Sequence, residues 1–146
     1  MSEEALDELG PIDYILVEWP DRQPNGEVAP HLLDLVERGL IRILDIALMV
    51  KDEDGVAAAV EIEDLGGAAE QLKVFEGAAS GLLDDDDLGE AATALEPGTS
   101  AALMVYENVW AAPFASAVRR SGGQLVASGR IPVQAVLAAL DAAEAA

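Results

Sequence analysis

The sequence predicts an α+β domain built on a largely antiparallel sheet of four to five strands. Three observations carry that expectation. Short β-branched runs alternate with helical patterns, one acidic turn joins two alternating runs, and the 146-residue length is that of one ordinary domain. Residues 1–9 read as a flexible acidic leader, and residues 10–146 as a single domain. Ile12 to Trp19 is rich in β-branched and aromatic residues and is closed by Pro20, which predicts a strand. Pro24, Asn25 and Gly26 supply turn chemistry, and a helix follows with Pro30 in its first turn and Gly39 at its end. Ile41 to Lys51 predicts a long strand. Asp52-Glu53-Asp54-Gly55 then predicts a hairpin turn into an alternating strand at 56–62, placed at a sheet edge.

Residues 65–96 are expected to be a helical insertion in two pieces, broken between Gly81 and Asp87. Leu65, Ala69, Leu72, Ala79 and Leu83 line the first piece, and Leu88, Ala91, Ala92 and Leu95 the second. Ala101 to Glu107 predicts a strand, and Asn108 a helix N-cap. The helix runs through Arg120 with Trp110, Phe114, Ala117 and Val118 on its inner side. Gln124 to Ile131 predicts a further strand. Pro132 opens a last helix, whose buried stripe would be Val133, Val136, Leu137 and Leu140. Two β-α-β units follow, 12–51 and 101–131. Two such split units give a ferredoxin-like α/β sandwich with its helices on one face of the sheet.

The chemistry is sparse. There are no cysteines, which excludes disulfides and thiolate metal sites. The net charge of −20 sits in residues 1–97, with 25 acids against 5 bases, while residues 98–146 balance 3 against 3. With 8 basic side chains in that field, nucleic-acid binding is not expected. An acidic N-terminus and the lack of a long apolar run predict a soluble cytoplasmic chain without membrane insertion. His31, the only histidine, sits in a first helical turn with no nucleophile motif near it. The run Asp84 to Asp87 fails a calcium-loop template, because Leu88 and Leu95 fall where oxygen ligands belong. No phosphate loop, dinucleotide fingerprint, zincin or nucleophile-elbow motif occurs. No catalytic residue, metal site or cofactor is assigned.

Asp13, Glu18, Asp45 and Glu107 stand out as acids inside or at the ends of apolar strands. Glu18 and Glu107 fall at opposite ends of adjacent antiparallel strands and cannot meet. Asp13 and Glu107 form the candidate ligand or ion-pair cluster, with Arg42 and Arg130 as neutralising partners. The stretches Gly10-Pro11-Ile12-Asp13-Tyr14, Val36 to Asp45, Lys51 to Gly55, Leu95 to Ala101, Tyr106-Glu107-Asn108 and Ser121-Gly122-Gly123 resemble a bacterial family of small proteins of unknown function. That family is similar to a wider group of predicted membrane proteins with a glycine-zipper middle segment. Residues 66–83 take the zipper's place here, shortened and charged by Glu70, Lys73 and Glu76. The resemblance implies no known activity.

The function expected is a non-enzymatic, oligomeric binding or scaffold protein, with a stress-associated role as one setting. The alternative is a small metabolite-binding domain or enzyme using strand-end carboxylates. A homodimer is expected because two strands are apolar on both faces, the alternative being cover of the second face within one chain by the helices at 65–96 or the last helix. Ile12, Tyr14 and Leu16 oppose Ile15, Val17 and Trp19. Ile41, Ile43, Ala47 and Met49 oppose Leu44, Ile46, Leu48 and Val50. The interface candidates are Ile15, Val17, Trp19, Leu44, Ile46 and Leu48.

Overall fold

A computed structural model describes residues 8–20, 27–60 and 80–145. The expected loop at 21–26, the first helical piece of the insertion and most of the acidic leader lie outside the described residues. Four strands and four α-helices are present among the described residues: β1 (Ile12–Trp19), α1 (Val28–Glu37), β2 (Ile41–Lys51), β3 (Ala57–Val60), α2 (Asp85–Thr93), β4 (Thr99–Asn108), α3 (Ala112–Arg120) and α4 (Val133–Ala145). The strands form one antiparallel sheet in the order β1-β4-β2-β3, so the α+β class holds. As expected, the hairpin adds β3 at an edge. Its turn closes through Asp52, which bonds Val56 two ways, backbone N–H to the Val56 carbonyl at 2.9 Å and Val56 N–H to the Asp52 side chain at 2.8 Å, while a positive φ of 87° at Gly55 reverses the chain.

The second β-α-β unit differs from the expectation. Residues 123–132 form neither strand nor helix, so the unit proposed at 101–131 does not exist. Its place is taken by β3, α2 and β4: β3 and β4 are both antiparallel to β2, hence parallel to each other, with β2 between them. The first unit is split in the same way, with β4 lying between β1 and β2. Strand-like composition at 124–131 was insufficient because β propensity expresses itself only against a neighbouring strand.

The helices also lie on both faces of the sheet, not on one. Register assigns the faces, since cross-strand partners point the same way. On the first face Ile15, Ala102, Met104, Tyr106, Ile41, Ile43 and Leu48 pack under Ala29, Leu32 and Val36 of α1. On the second face Leu16, Met49, Ala101 and Leu103 pack under Leu83, Leu88, Ala91 and Leu95, which belong to α2 and its flanks.

A β-bulge explains why β2 looked apolar on both sides. Ile43 stands opposite Tyr106 but Asp45 stands opposite Val105, so Leu44 is the extra residue and the alternation changes phase there. Ile41, Ile43, Ile46, Leu48 and Val50 then share the first face, while Arg42, Asp45, Ala47, Met49 and Lys51 share the second. Strict period-two reading had mixed the two sets. Ile46 and Leu48, expected at a subunit interface, are instead buried within the chain.

Beyond β4 the chain makes a short 3-10 turn (Val109–Ala111) and α3. Asn108 does not cap this turn through its side chain. Trp110 and Phe114 are exposed, and the buried residues here are Ala111 and Ser116. No residue of α4 is buried, so the stripe Val133, Val136, Leu137 and Leu140 faces outward and not into the core.

Candidate functional site

The acidic residues singled out in the sequence sit on one sheet but not in one place. Ile12 is opposite Glu107 and Asp13 is opposite Tyr106, an offset of one residue that puts the two carboxylates on opposite faces. They do not form a dyad. Asp13 Oδ2 accepts a hydrogen bond from Asn108 Nδ2 at 2.9 Å on the first face. Glu107 is buried on the second face, where Oε2 accepts the Gly10 N–H at 2.8 Å and Oε1 pairs with Arg42 Nη2 at 2.9 Å. Arg130 does not reach either acid; its guanidinium donates to the Tyr106 hydroxyl.

Glu107 therefore fixes the entry into β1. Gly10 is required there by contact: a Cβ at this position would lie 2.2 Å from the Asn108 carbonyl oxygen. The close approach lets the Gly10 N–H reach the carboxylate, while Asn108 N–H bonds the Pro11 carbonyl at 2.8 Å. Arg42, the direct cross-strand partner of Glu107, closes the arrangement from the solvent side.

Asp45 was noted in the sequence only as an acid in an apolar strand, and its role was missed. Its side chain is buried and accepts three backbone N–H groups: Ile46 and Ser80 on Oδ1, both at 2.9 Å, and Leu83 on Oδ2 at 2.7 Å. Ser80 Oγ also donates to the Leu44 carbonyl at 2.7 Å, using the backbone that the bulge turns outward. This pins the chain that leads into α2. The same helix begins with a reciprocal capping box between Asp84 and Asp87, with two further acids, Asp85 and Asp86, in its first turn at the positive end of the helix dipole. At its other end Lys51 Nζ donates to the Ala92 and Leu95 carbonyls at 3.0 and 2.9 Å, and Glu18 accepts the Glu96 N–H at 2.8 Å. Asp84 to Asp87 thus serve the helix start. Among the described residues no group of three or more His, Asp or Glu side chains is placed to hold a metal ion.

One groove of about 550 Å³ opens on the second face between α2 and strands β1 and β4. Its wall is mostly apolar, from Leu16, Leu82, Leu83, Leu103 and Val105, with Tyr14, Asp87 and Glu90 as its polar groups. Neither Asp13 nor Glu107 lines it. Of the remaining interface candidates, Ile15 and Trp19 are half-buried, Leu44 is half-buried at the bulge, and Val17 is exposed.

A family model covers residues 8–146, which is nearly the whole chain. The chain belongs to DUF6325, a family of unknown function. Neither the curated proteins nor the solved structures contain a match. Membership in DUF6325 brings no assigned residue, so the site rests on geometry alone. Among the described residues no helix is long and apolar enough to cross a membrane.

Proposed function

We propose that this protein is a non-enzymatic binding or scaffold protein that acts as a homo-oligomer, in its simplest form a dimer. The observation that carries the reading is the use to which the buried carboxylates are put. Asp45 and Glu107 use their oxygens on backbone N–H groups and Arg42, and neither lines the groove beside α2. Catalytic acids need a reachable proton partner in a cleft, and these two are structural fasteners. The apolar surface left over is what a self-associating protein needs. The reading includes a soluble cytoplasmic chain that binds no nucleic acid, in keeping with its −20 charge. It also retains kinship with the glycine-zipper membrane proteins, with residues 66–83 in the zipper's place; most of that segment lies outside the described residues.

Sedimentation at two protein concentrations and two salt levels tests the oligomer. A concentration-dependent dimer is expected, strengthened at high salt as the like charges are screened. A monomer at micromolar protein in high salt overturns it. The groove beside α2 supports a second reading, a small-molecule binding domain. A thermal-shift screen against metabolites separates the two, since a ligand that binds only the folded state raises the melting temperature.

A further inference from the structure

Ten of the sixteen exposed large hydrophobics among the described residues fall in two places. The first is β1. It is an edge strand whose one hydrogen-bonded neighbour among the described residues is β4. Its eight residues contain no Lys and no Pro, the usual devices that blunt an edge. It is also the strand for which the two-sided apolar pattern survives. A bulge resolved that pattern in β2, but in β1 Ile12 and Tyr14 are exposed on one face and Val17 on the other.

The second place is the C-terminal arm, residues 123–145. Leu125, Val126 and Ile131 are exposed in a stretch with no regular structure, Val126 at 94%. The exposed stripe of α4 follows directly. An unpaired strand sequence joined to an amphipathic helix with no buried face is one half of an interface. The outer edge of β1, unpaired among the described residues, is the other half.

We infer that the arm of one copy of this chain docks on β1 of a second copy, with residues 124–131 adding to the β1 edge and α4 covering the β1 side of the first sheet face beside α1. This rests on the oligomeric reading above and names the surface that forms it. Two observations of size fit a second copy. The stretch 124–131 matches the eight residues of β1 in length. The 13-residue α4 together with that stretch approaches the roughly 20–30 residues a side of a standard interface, and twofold exchange makes two such contacts. The arm also belongs to the charge-balanced part of the sequence, residues 98–146, so it meets the acidic body with little added repulsion.

The chain has no cysteine, so introduced ones react alone. The test uses the full chain in three forms: wild type, the double variant Val126→Asp with Leu137→Asp, and a mixture of two single variants, Val17→Cys and Val136→Cys, treated with a short bismaleimide. Both Asp substitutions fall at exposed positions, so far-UV circular dichroism of the variant is expected to match the wild type. The inference expects a wild-type dimer, at least tenfold weaker association in the double variant, and a covalent heterodimer in the mixture. A dimer with unchanged affinity in the double variant overturns the arm while leaving the oligomeric reading intact. A wild-type monomer at micromolar protein in high salt overturns both. A dimeric wild type that gives no covalent heterodimer in the mixture overturns the docking of the arm on β1.

Discussion

Removing the Asp45 carboxylate is expected to loosen the whole approach to α2, and the size of the effect follows from its three bonds. Ile46 N–H is buried, whereas the Ser80 and Leu83 N–H groups lie nearer solvent and recover water when the loop lifts. A buried donor left unmade costs about 1–3 kcal/mol, and each bond to a charged acceptor contributes about 1.5–3 kcal/mol before water takes its place. Counting one full loss and two partial ones, Asp45→Ala is expected to destabilise by about 3 kcal/mol. Asp45→Asn is the sharper probe. Its single oxygen can serve at best the Ile46 and Ser80 donors, which leaves its NH2 facing the Leu83 N–H. That variant is expected to lose about half as much. For a chain of this size about 3 kcal/mol corresponds to roughly 6–12 °C in Tm. Urea unfolding gives the free energies, and hydrogen exchange at Ser80 and Leu83 gives the location. Exchange at those two amides should accelerate before global unfolding is affected. If Asp45→Ala costs under about 1 kcal/mol, or if those amides exchange at wild-type rates, the fastener argument is refuted.

Gly10→Ala would drive a Cβ into the Asn108 carbonyl and is expected to cost about 1–3 kcal/mol by urea unfolding, whereas Ala at the open Gly89 should not destabilise. Lys51→Met removes both donors from the last carbonyls around α2 and should cost about 1–2 kcal/mol in the same measurement. Leu103→Ala, buried under Leu88 and Leu95 on the second face, is expected to lose about 2–5 kcal/mol, toward the lower end because the adjoining groove already leaves it one open side.

Local chemistry made much of the fold legible. The Asp-Glu-Asp-Gly turn, the strand at its start and the helix closed at Gly39 were all readable, because each depends on neighbours within a few residues. What could not be read depended on partners far along the chain. The phase change at Leu44 is a property of the β2–β4 pairing and leaves no mark in the β2 sequence; without it, Ile46 and Leu48 appear to face away from Ile41 and Ile43. The stretch 124–131 has the composition of a strand, but composition does not supply the neighbour. Leu95 was assigned to a helix stripe, and it is indeed buried, though one residue past the helix C-cap at Ala94.

The candidate site shows the same limit in a form that changes the chemistry. Asp13 and Glu107 lie near each other on adjacent antiparallel strands, so sequence reasoning admitted them as a pair. Whether two such residues meet is decided by parity, and a shift of one residue in register separates them by the thickness of the sheet. The same parity delivers Arg42 to Glu107 and brings Asp45 to the face on which the chain enters α2. Each buried acid therefore ends beside a donor already fixed by the backbone, which argues for fastening and against turnover. An acid held by two or three N–H groups or a guanidinium has its lone pairs occupied by groups that do not leave. To take a proton from a substrate it would have to surrender a bond that holds the fold together. Among the described residues, the exposed apolar side chains of β1 and of residues 125–140 carry no such commitment.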